Sequence, residues 1–166
     1  MKFSNFSTIM SSETARIKDM LRREYDGEVW HGPSLTEVLD GVTASQATKR
    51  INDKSKNIAE FVVHISNWRV FTLEKLTGGE SFDIILDSTD DWPKINSLTD
   101  EEWQEILTNL ADTQTELLEI LETYSDRKLD NIVSGRKYSI YMLLRGVIQH
   151  DIYHAGQMML IKRLAF

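Results

Sequence analysis

Residues 139–166, SIYMLLRGVIQHDIYHAGQMMLIKRLAF, decide the fold class because they predict one long amphipathic helix. Positions separated by three or four residues form the stripe that such a helix buries: Leu143, Val147, His150, His154, Met158 and Ile161. The two histidines take central positions that apolar side chains would otherwise fill. Because residues four apart lie one turn apart on the same face, both imidazoles can converge on one point in the core.

The starts of other helices are marked by capping boxes, in which a side chain and a residue three positions later satisfy each other's free amides. Such boxes begin at Ser34, Thr43, Asn57 and Thr99. Long helices are predicted from about Phe6 to Tyr25, from Asn57 to Gly78 and Gly79, from Thr99 to about Tyr124, and from Ser139 onward. The predicted fold is therefore all-α, a four-helix bundle with a long crossover connection, in a single domain over residues 1–166.

The crossover is the segment ESFDIILDSTDDWPKINS, residues 80–97. A connection of this length is uncommon in a compact domain and is often a lid or a binding loop. A strap that covers one end of the bundle is the alternative interpretation. Within the segment, FDIIL could form a short strand, although no pairing partner is evident.

Composition excludes several classes of function. The formal net charge of -7 argues against a nucleic-acid surface, which needs basic residues to neutralise phosphates. The chain has no cysteine, so disulfides, thiolate metal ligands and a cysteine nucleophile are all excluded. No apolar run approaches the roughly 18 residues of a membrane span, and no signal peptide is evident. We therefore expect a cytoplasmic protein without nucleic-acid or membrane partners.

A third histidine, His64, occupies a core position of the second long helix, in a stripe with Phe61, Trp68 and Phe71. Burying three imidazoles is costly unless something satisfies them together. One divalent cation bound by His64, His150 and His154 would do so. Zinc is the first choice, with nickel, iron and manganese as alternatives, because imidazole binds all of them. A metal-free core in which the histidines bond each other and water remains the other interpretation.

Other residues are candidates for a supporting role around this site. Gln157 lies three positions after His154 and could bond its ring or a bound water, or take part in a helix contact. Asn67 lies three positions after His64 and is a weaker candidate of the same kind. His31 sits in a predicted loop, where it is either a surface residue or an acid or base lining the pocket. We assign no general base from the sequence, and Asp151 is expected to cap a helix, to orient a ring or to form an ion pair near the surface of the bundle.

Several segments together resemble a known family. NIAEFVVHISNW at 57–68 and HDIYHAGQM at 150–158 are similar to the DinB/YfiT-like superfamily of metalloenzymes. GPSLTEVLDGVTASQA at 32–47 and the WP pair in the crossover add to the likeness, which spans nearly the whole chain. The resemblance implies a bundle with a divalent metal at His64, His150 and His154, where water or substrate takes the remaining positions.

The resemblance also implies a function. Family members with assigned activities include transferases and isomerases that depend on a low-molecular-weight thiol, and others are metal-dependent hydrolases. We therefore expect a metal-dependent transferase or hydrolase that acts on a small molecule. The alternative is a non-catalytic bundle dimer that is stabilised by metal or binds a ligand. Members often form homodimers, and the ending MMLIKRLAF, which is apolar on more than one side, is typical of a helical contact.

Overall fold

The computed structural model describes residues 12–79 and 81–166, and the regular structure within these ranges is helical. Its long helices are α1 (Glu13–Asp26), α4 (Ile58–Thr77), α5 (Asp100–Thr123) and α6 (Ile140–Ala165), and its short ones are α2 (Leu35–Leu39) and α3 (Ala44–Ala47). A turn of 3-10 helix, Asp126–Lys128, lies between α5 and α6. The predicted all-α class is confirmed.

The helices begin and end where the capping residues place them. The side chain of Asn57 accepts a hydrogen bond of 2.9 Å from the amide of Glu60, and α4 ends at Gly78, whose φ of 97° is left-handed. Within the described residues α1 begins at Glu13, because the side chain of Ser12 caps it by accepting from the amide of Ala15. The earlier part of the predicted first helix, residues 6–11, lies outside the described residues.

The long helices pack pairwise, and their contacts surround two apolar clusters. Helix α4 contacts α5 and α6, and α1 contacts the same two helices. One cluster includes Phe61, Trp103 and Met158, and the other includes Phe71 and Leu144. On α6, the two histidines fall between residues of the second cluster and residues of the first, and on α4 the buried Arg69 does so. Polar side chains therefore form a layer that separates the two apolar clusters.

The buried ion pair of Arg69 with Asp151 belongs to this layer. An Nη atom of Arg69 donates to Asp151 at 2.7 Å, and the other donates to Gln114 at 2.8 Å. Gln114 in turn donates to the carbonyl of Leu21 at 3.2 Å, and the guanidinium lies 5.3 Å from the ring of Tyr25. The network thus joins α4, α5, α6 and α1. Asp151 forms the ion pair expected of it, but in the core rather than near the surface.

The connection between α4 and α5 lies along α4 as a strap, and its described part contains no strand. Residues 82–86 make no ladder, and Ile85 and Leu86 are exposed. The carboxylate of Glu60 accepts from the amide of Ile95 at 3.0 Å and forms an ion pair with Arg50. Burial by itself raises the pKa of Glu60, but these partners outweigh burial and hold the pKa below its ordinary value.

No helix in the described ranges is both long enough and apolar enough to cross a membrane.

Candidate metal centre

Three histidines from two helices meet at their Nε2 atoms. His64 is on α4, and His150 and His154 are one turn apart on α6. The Nε2 atom of His150 lies 2.9 Å from that of His64 and 3.1 Å from that of His154. His64 and His154 are buried, and His150 is half-buried. The helical spacing recognised in the sequence therefore brings together all three predicted ligands.

The opposite ring nitrogen is held by an oxygen acceptor in two of the three histidines. Nδ1 of His64 donates to the backbone carbonyl of Asp91 at 2.8 Å and lies 3.0 Å from its carboxylate. Nδ1 of His154 donates to Oε1 of Gln157 at 2.6 Å. Both rings therefore carry their proton on Nδ1, which leaves a lone pair on Nε2. Acceptors of this kind fix the orientation of metal-binding imidazoles in known sites.

The number of available protons favours metal binding over hydrogen bonding within the triad. The Nε2 lone pairs of His64 and His154 both face Nε2 of His150, which can supply at most one N–H. Hydrogen bonds alone therefore leave one of the two contacts as lone pair against lone pair. A cation would accept all three lone pairs. Nitrogens bound tetrahedrally at about 2.0–2.1 Å lie about 3.3 Å from each other, which is close to the two distances given above. The ligand atoms of all three rings lie within 4.8 Å of one another.

The electrostatic environment keeps all three rings neutral. Burial lowers the pKa of His64 below its ordinary value. Burial and the two neighbouring imidazoles lower the pKa of His150 to about 3. Burial, with a smaller contribution from His64, lowers the pKa of His154 to about 4. Neutral imidazole is the form that binds metals, so the site is in its ligating state near neutral pH.

Asp91 and Trp92, on the strap, are site residues that the sequence analysis missed. Besides its contact with His64, Asp91 accepts from the indole N–H of Trp68 at 2.9 Å and from the amide of Asp87 at 2.9 Å. Trp92 stacks on His64 with ring centroids 3.7 Å apart and an angle of 9° between the planes. The length of the connection left a binding loop and a strap as alternative interpretations, and no spacing rule identifies which loop residues reach a helix.

Of the other predicted site residues, Gln157 lies at the triad, whereas Asn67 and His31 lie elsewhere. Gln157 contacts the ring of His154, as described above. Asn67 donates to the carbonyl of Asp90 at 2.6 Å, so it anchors the strap rather than a ring of the triad. His31 is on the surface, where its Nε2 lies 2.8 Å from a carboxylate oxygen of Glu24. The structure does not bring His31 to the triad.

A cavity of about 280 Å³ adjoins the triad on the side of His150. It lies in the groove between α4 and α6, and Trp68 and Gly146 form parts of its two walls. The other sides of the triad are closed by aromatic rings, with Phe61 at 5.2 Å from His154 and Trp92 stacked on His64. His150 is therefore the ligand candidate that a small molecule can approach. A second cavity, about 610 Å³, lies near α2, α3 and α5 and includes none of the three histidines.

Comparison with known proteins supports the family that the sequence motifs indicate. The family model described as the DinB superfamily matches residues 29–158, a range that contains all three histidines, the strap and α2 to α5. Searches of the curated proteins and of the solved structures give no match. The superfamily includes metal-binding members, and the triad is compatible with that property. Because the match covers more than half of the sequence, the chain belongs to the DinB superfamily.

Proposed function

We propose that the protein is a metal-dependent enzyme of the transferase or hydrolase type that acts on a small molecule. Its divalent metal is bound by His64, His150 and His154. The observation that carries the proposal is the convergence of three neutral Nε2 atoms that the available protons cannot satisfy. Zinc is the first choice of metal, and nickel, iron and manganese are the alternatives, since each accepts imidazole ligands.

The composition of the site favours catalysis over a structural metal. Structural zinc sites are closed by four protein ligands, whereas catalytic sites have three and leave a position open. In residues 12–79 and 81–166, the group around the triad contains no fourth His, Cys, Asp or Glu ligand. The nearby carboxylate of Asp91 accepts from Trp68 and Asp87. The cavity at His150 provides the space that an open position needs.

A bound divalent ion supplies Lewis acidity, which activates a bound water or thiol and polarises an electrophile. The protein supplies the rest. Asp91 and Gln157 hold the rings of His64 and His154 in the orientation and tautomer described above. Trp92 and Phe61 exclude water from two sides of the triad, which strengthens electrostatic interactions within it. A low-molecular-weight thiol is the proposed second substrate for the transferase, and water takes its place in a hydrolase.

Elemental analysis of the purified protein tests the metal site. We expect wild type to contain a divalent metal, which His64→Ala and His150→Ala lose while circular dichroism shows the helices intact. His31→Ala is the matched control, because it removes the histidine that lies outside the triad, and it should retain the metal. Full metal content in either triad variant would remove that residue from the ligand set, and a metal-free wild type after growth in metal-supplemented medium would overturn the proposal.

An activity screen then separates the two reaction types. The protein is incubated with electrophilic substrates in the presence and absence of thiols such as cysteine and glutathione. Turnover that requires the thiol identifies a transferase, and turnover in water alone identifies a hydrolase. Loss of turnover in His150→Ala ties either activity to the triad. If a metal-loaded protein turns over no substrate of either kind, the non-catalytic, metal-stabilised dimer becomes the better proposal.

We also propose that the protein forms a homodimer through α6. One face of this helix carries exposed apolar side chains at Met142, Tyr153, Leu160 and Leu164. These positions lie within about 40° of each other around the helix, and an apolar stripe of this kind can pair with a second copy of itself. In sedimentation experiments we expect wild type to be a dimer and Leu160→Glu a monomer. Leu86→Glu, a matched change of an exposed leucine on the strap, should stay dimeric, and a monomeric wild type would contradict the proposal.

A further inference from the structure

The side chains that line the groove between α4 and α6 determine which kind of molecule can bind there. Trp68 and Thr72 of α4 form one wall, Met142 and Gly146 of α6 contribute to the other, and His150 stands at the end nearest the triad. The described side chains that line the groove include no Asp, Glu, Lys or Arg. A charged molecule would lose its hydration there without gaining a partner from the side chains that line the groove, which is strongly unfavourable.

Gly146 creates the space in the groove. A Cβ atom built at this position would meet no atom within 4 Å, so packing in the described structure does not require glycine there. A glycine inside a helix is about 1 kcal/mol less favourable than alanine. Packing within the described chain and helix stability therefore do not account for Gly146. Its missing side chain leaves room beside Trp68, where a ligand can contact the ring of the indole.

The volume of the groove sets the size of the occupant. Benzene fills an apolar cavity of about 150 Å³, so the observed volume of about 280 Å³ corresponds to roughly eleven non-hydrogen atoms. A bicyclic aromatic molecule has this size and is flat enough to lie against Trp68. At the far end of the groove, the hydroxyl groups of Tyr138 and Thr72 offer weak polar contacts.

We infer that this groove binds a neutral, largely apolar molecule of about the size of naphthalene, with its reactive end against His150. The inference rests on the proposed function, because it supplies the class of the electrophilic substrate. It concerns binding by the protein's own side chains, so it can be measured without turnover. The enzyme would accordingly favour aromatic or branched aliphatic electrophiles over molecules of similar size that place a charged group against the walls of the groove.

Calorimetric titration of the full-length purified protein with 2-naphthol, a neutral molecule of the required size, tests the inference. Gly146→Leu places a side chain in the groove and should weaken binding by about tenfold or more. Gly156→Leu is the matched control, since Gly156 is also a helical glycine of α6 where an added Cβ would meet no atom within 4 Å, yet it lies outside the groove. It should leave the affinity unchanged. After the metal has been removed with a chelator, so that no cation pairs with the anion, naphthalene-2-sulfonate should not bind.

The outcomes separate this inference from the metal proposal, because metal content and sedimentation are measured on the same samples. If wild type holds metal but fails to bind 2-naphthol, or binds it equally well after Gly146→Leu, the inference is overturned and the metal proposal stands. If 2-naphthol binds and Gly146→Leu abolishes binding in a protein without metal, the groove is supported and the proposed enzyme is not. Equal binding of the sulfonate would overturn the neutrality of the ligand.

Discussion

The buried pair of Arg69 and Asp151 gives a prediction about stability that the structure makes quantitative. Arg69 is 1% exposed and Asp151 is 3% exposed, so neither charge has access to bulk water. Asp151→Ala would leave the guanidinium with only Gln114 and the ring of Tyr25 as partners among the described residues. Removal of one member of a buried pair costs about 3–5 kcal/mol in the free energy of unfolding, because the other charge remains buried.

Replacing both Arg69 and Asp151 should lower the free energy of unfolding far less than replacing one of them. Burial raises the pKa of Asp151 although Arg69 opposes the shift, which indicates that the pair does not fully offset its desolvation. Within the described part of the chain, two buried polar atoms of the pair, Nε of Arg69 and Oδ1 of Asp151, have no hydrogen-bond partner. The double variant Arg69→Met/Asp151→Leu removes both of these unsatisfied atoms. It also removes the hydrogen bond that Arg69 donates to Gln114, which lowers the free energy of unfolding by about 1 kcal/mol. We therefore expect strong coupling between the two sites.

Urea denaturation in the presence of a chelator measures these free energies without a contribution from metal binding. With a typical slope of about 2 kcal/mol per molar urea, Asp151→Ala should lower the midpoint by about 2 M, and the double variant by about 0.5 M. Asp19→Ala is the control, because Asp19 pairs with Arg23 at 2.7 Å on the surface, and its midpoint should not change. If the effects of the single variants Arg69→Met and Asp151→Leu add up to the effect of the double variant, the argument is refuted.

Three further predictions concern the strap and the triad. Glu60→Gln should lower stability by about 2 kcal/mol at pH 7, where the charged bonds to Arg50 and the strap are intact. Because the folded pKa of Glu60 lies below its ordinary 4.5, wild type should lose this advantage as the pH falls below about 4.5, which pH-dependent urea midpoints would show. Gln157→Leu should weaken metal affinity about tenfold, measured by competition with a chelator, and Gln157→Glu should restore it. Asp91→Asn should weaken metal affinity less than Gln157→Leu, since the backbone carbonyl of Asp91 still accepts from the ring of His64. If the metal affinity is unchanged in Gln157→Leu, Gln157→Glu and Asp91→Asn, neither residue orients a ligand.

Much of the fold could be predicted from the sequence, because the determining signals are local. Asn57 and Thr99 satisfy amides within their own first turns, so their capping boxes mark the starts of α4 and α5 whatever the rest of the chain does. The start of α1 could not be located in the same way. The hydrophobic periodicity continues through Ser12, whose side chain caps the helix. The spacing of apolar residues alone does not show that the side chain of Ser12 caps a helix at this position.

The helical part of the site was predictable for the same reason, and the strap was not. His150 and His154 are four apart on one helix, and His64 lies on a stripe that must face the core. Asp91 reaches His64 from 27 positions away through a loop whose path depends on Asp87, with a left-handed φ of 61°, and on the bond from the amide of Asp87 to Asp91. Such a conformation depends on tertiary contacts that no periodicity captures.

The polar layer at the centre of the molecule contains both the candidate metal centre and the buried ion pair. His150 and Asp151 are consecutive on α6, and one faces the triad while the other faces Arg69. A slip of α6 by one residue would remove both from their partners and leave buried charge and buried imidazoles unsatisfied. We therefore infer that the ion pair helps to specify the register in which the three Nε2 atoms meet. A buried pair that we expect to add little net stability would in this way favour the geometry of the candidate metal centre.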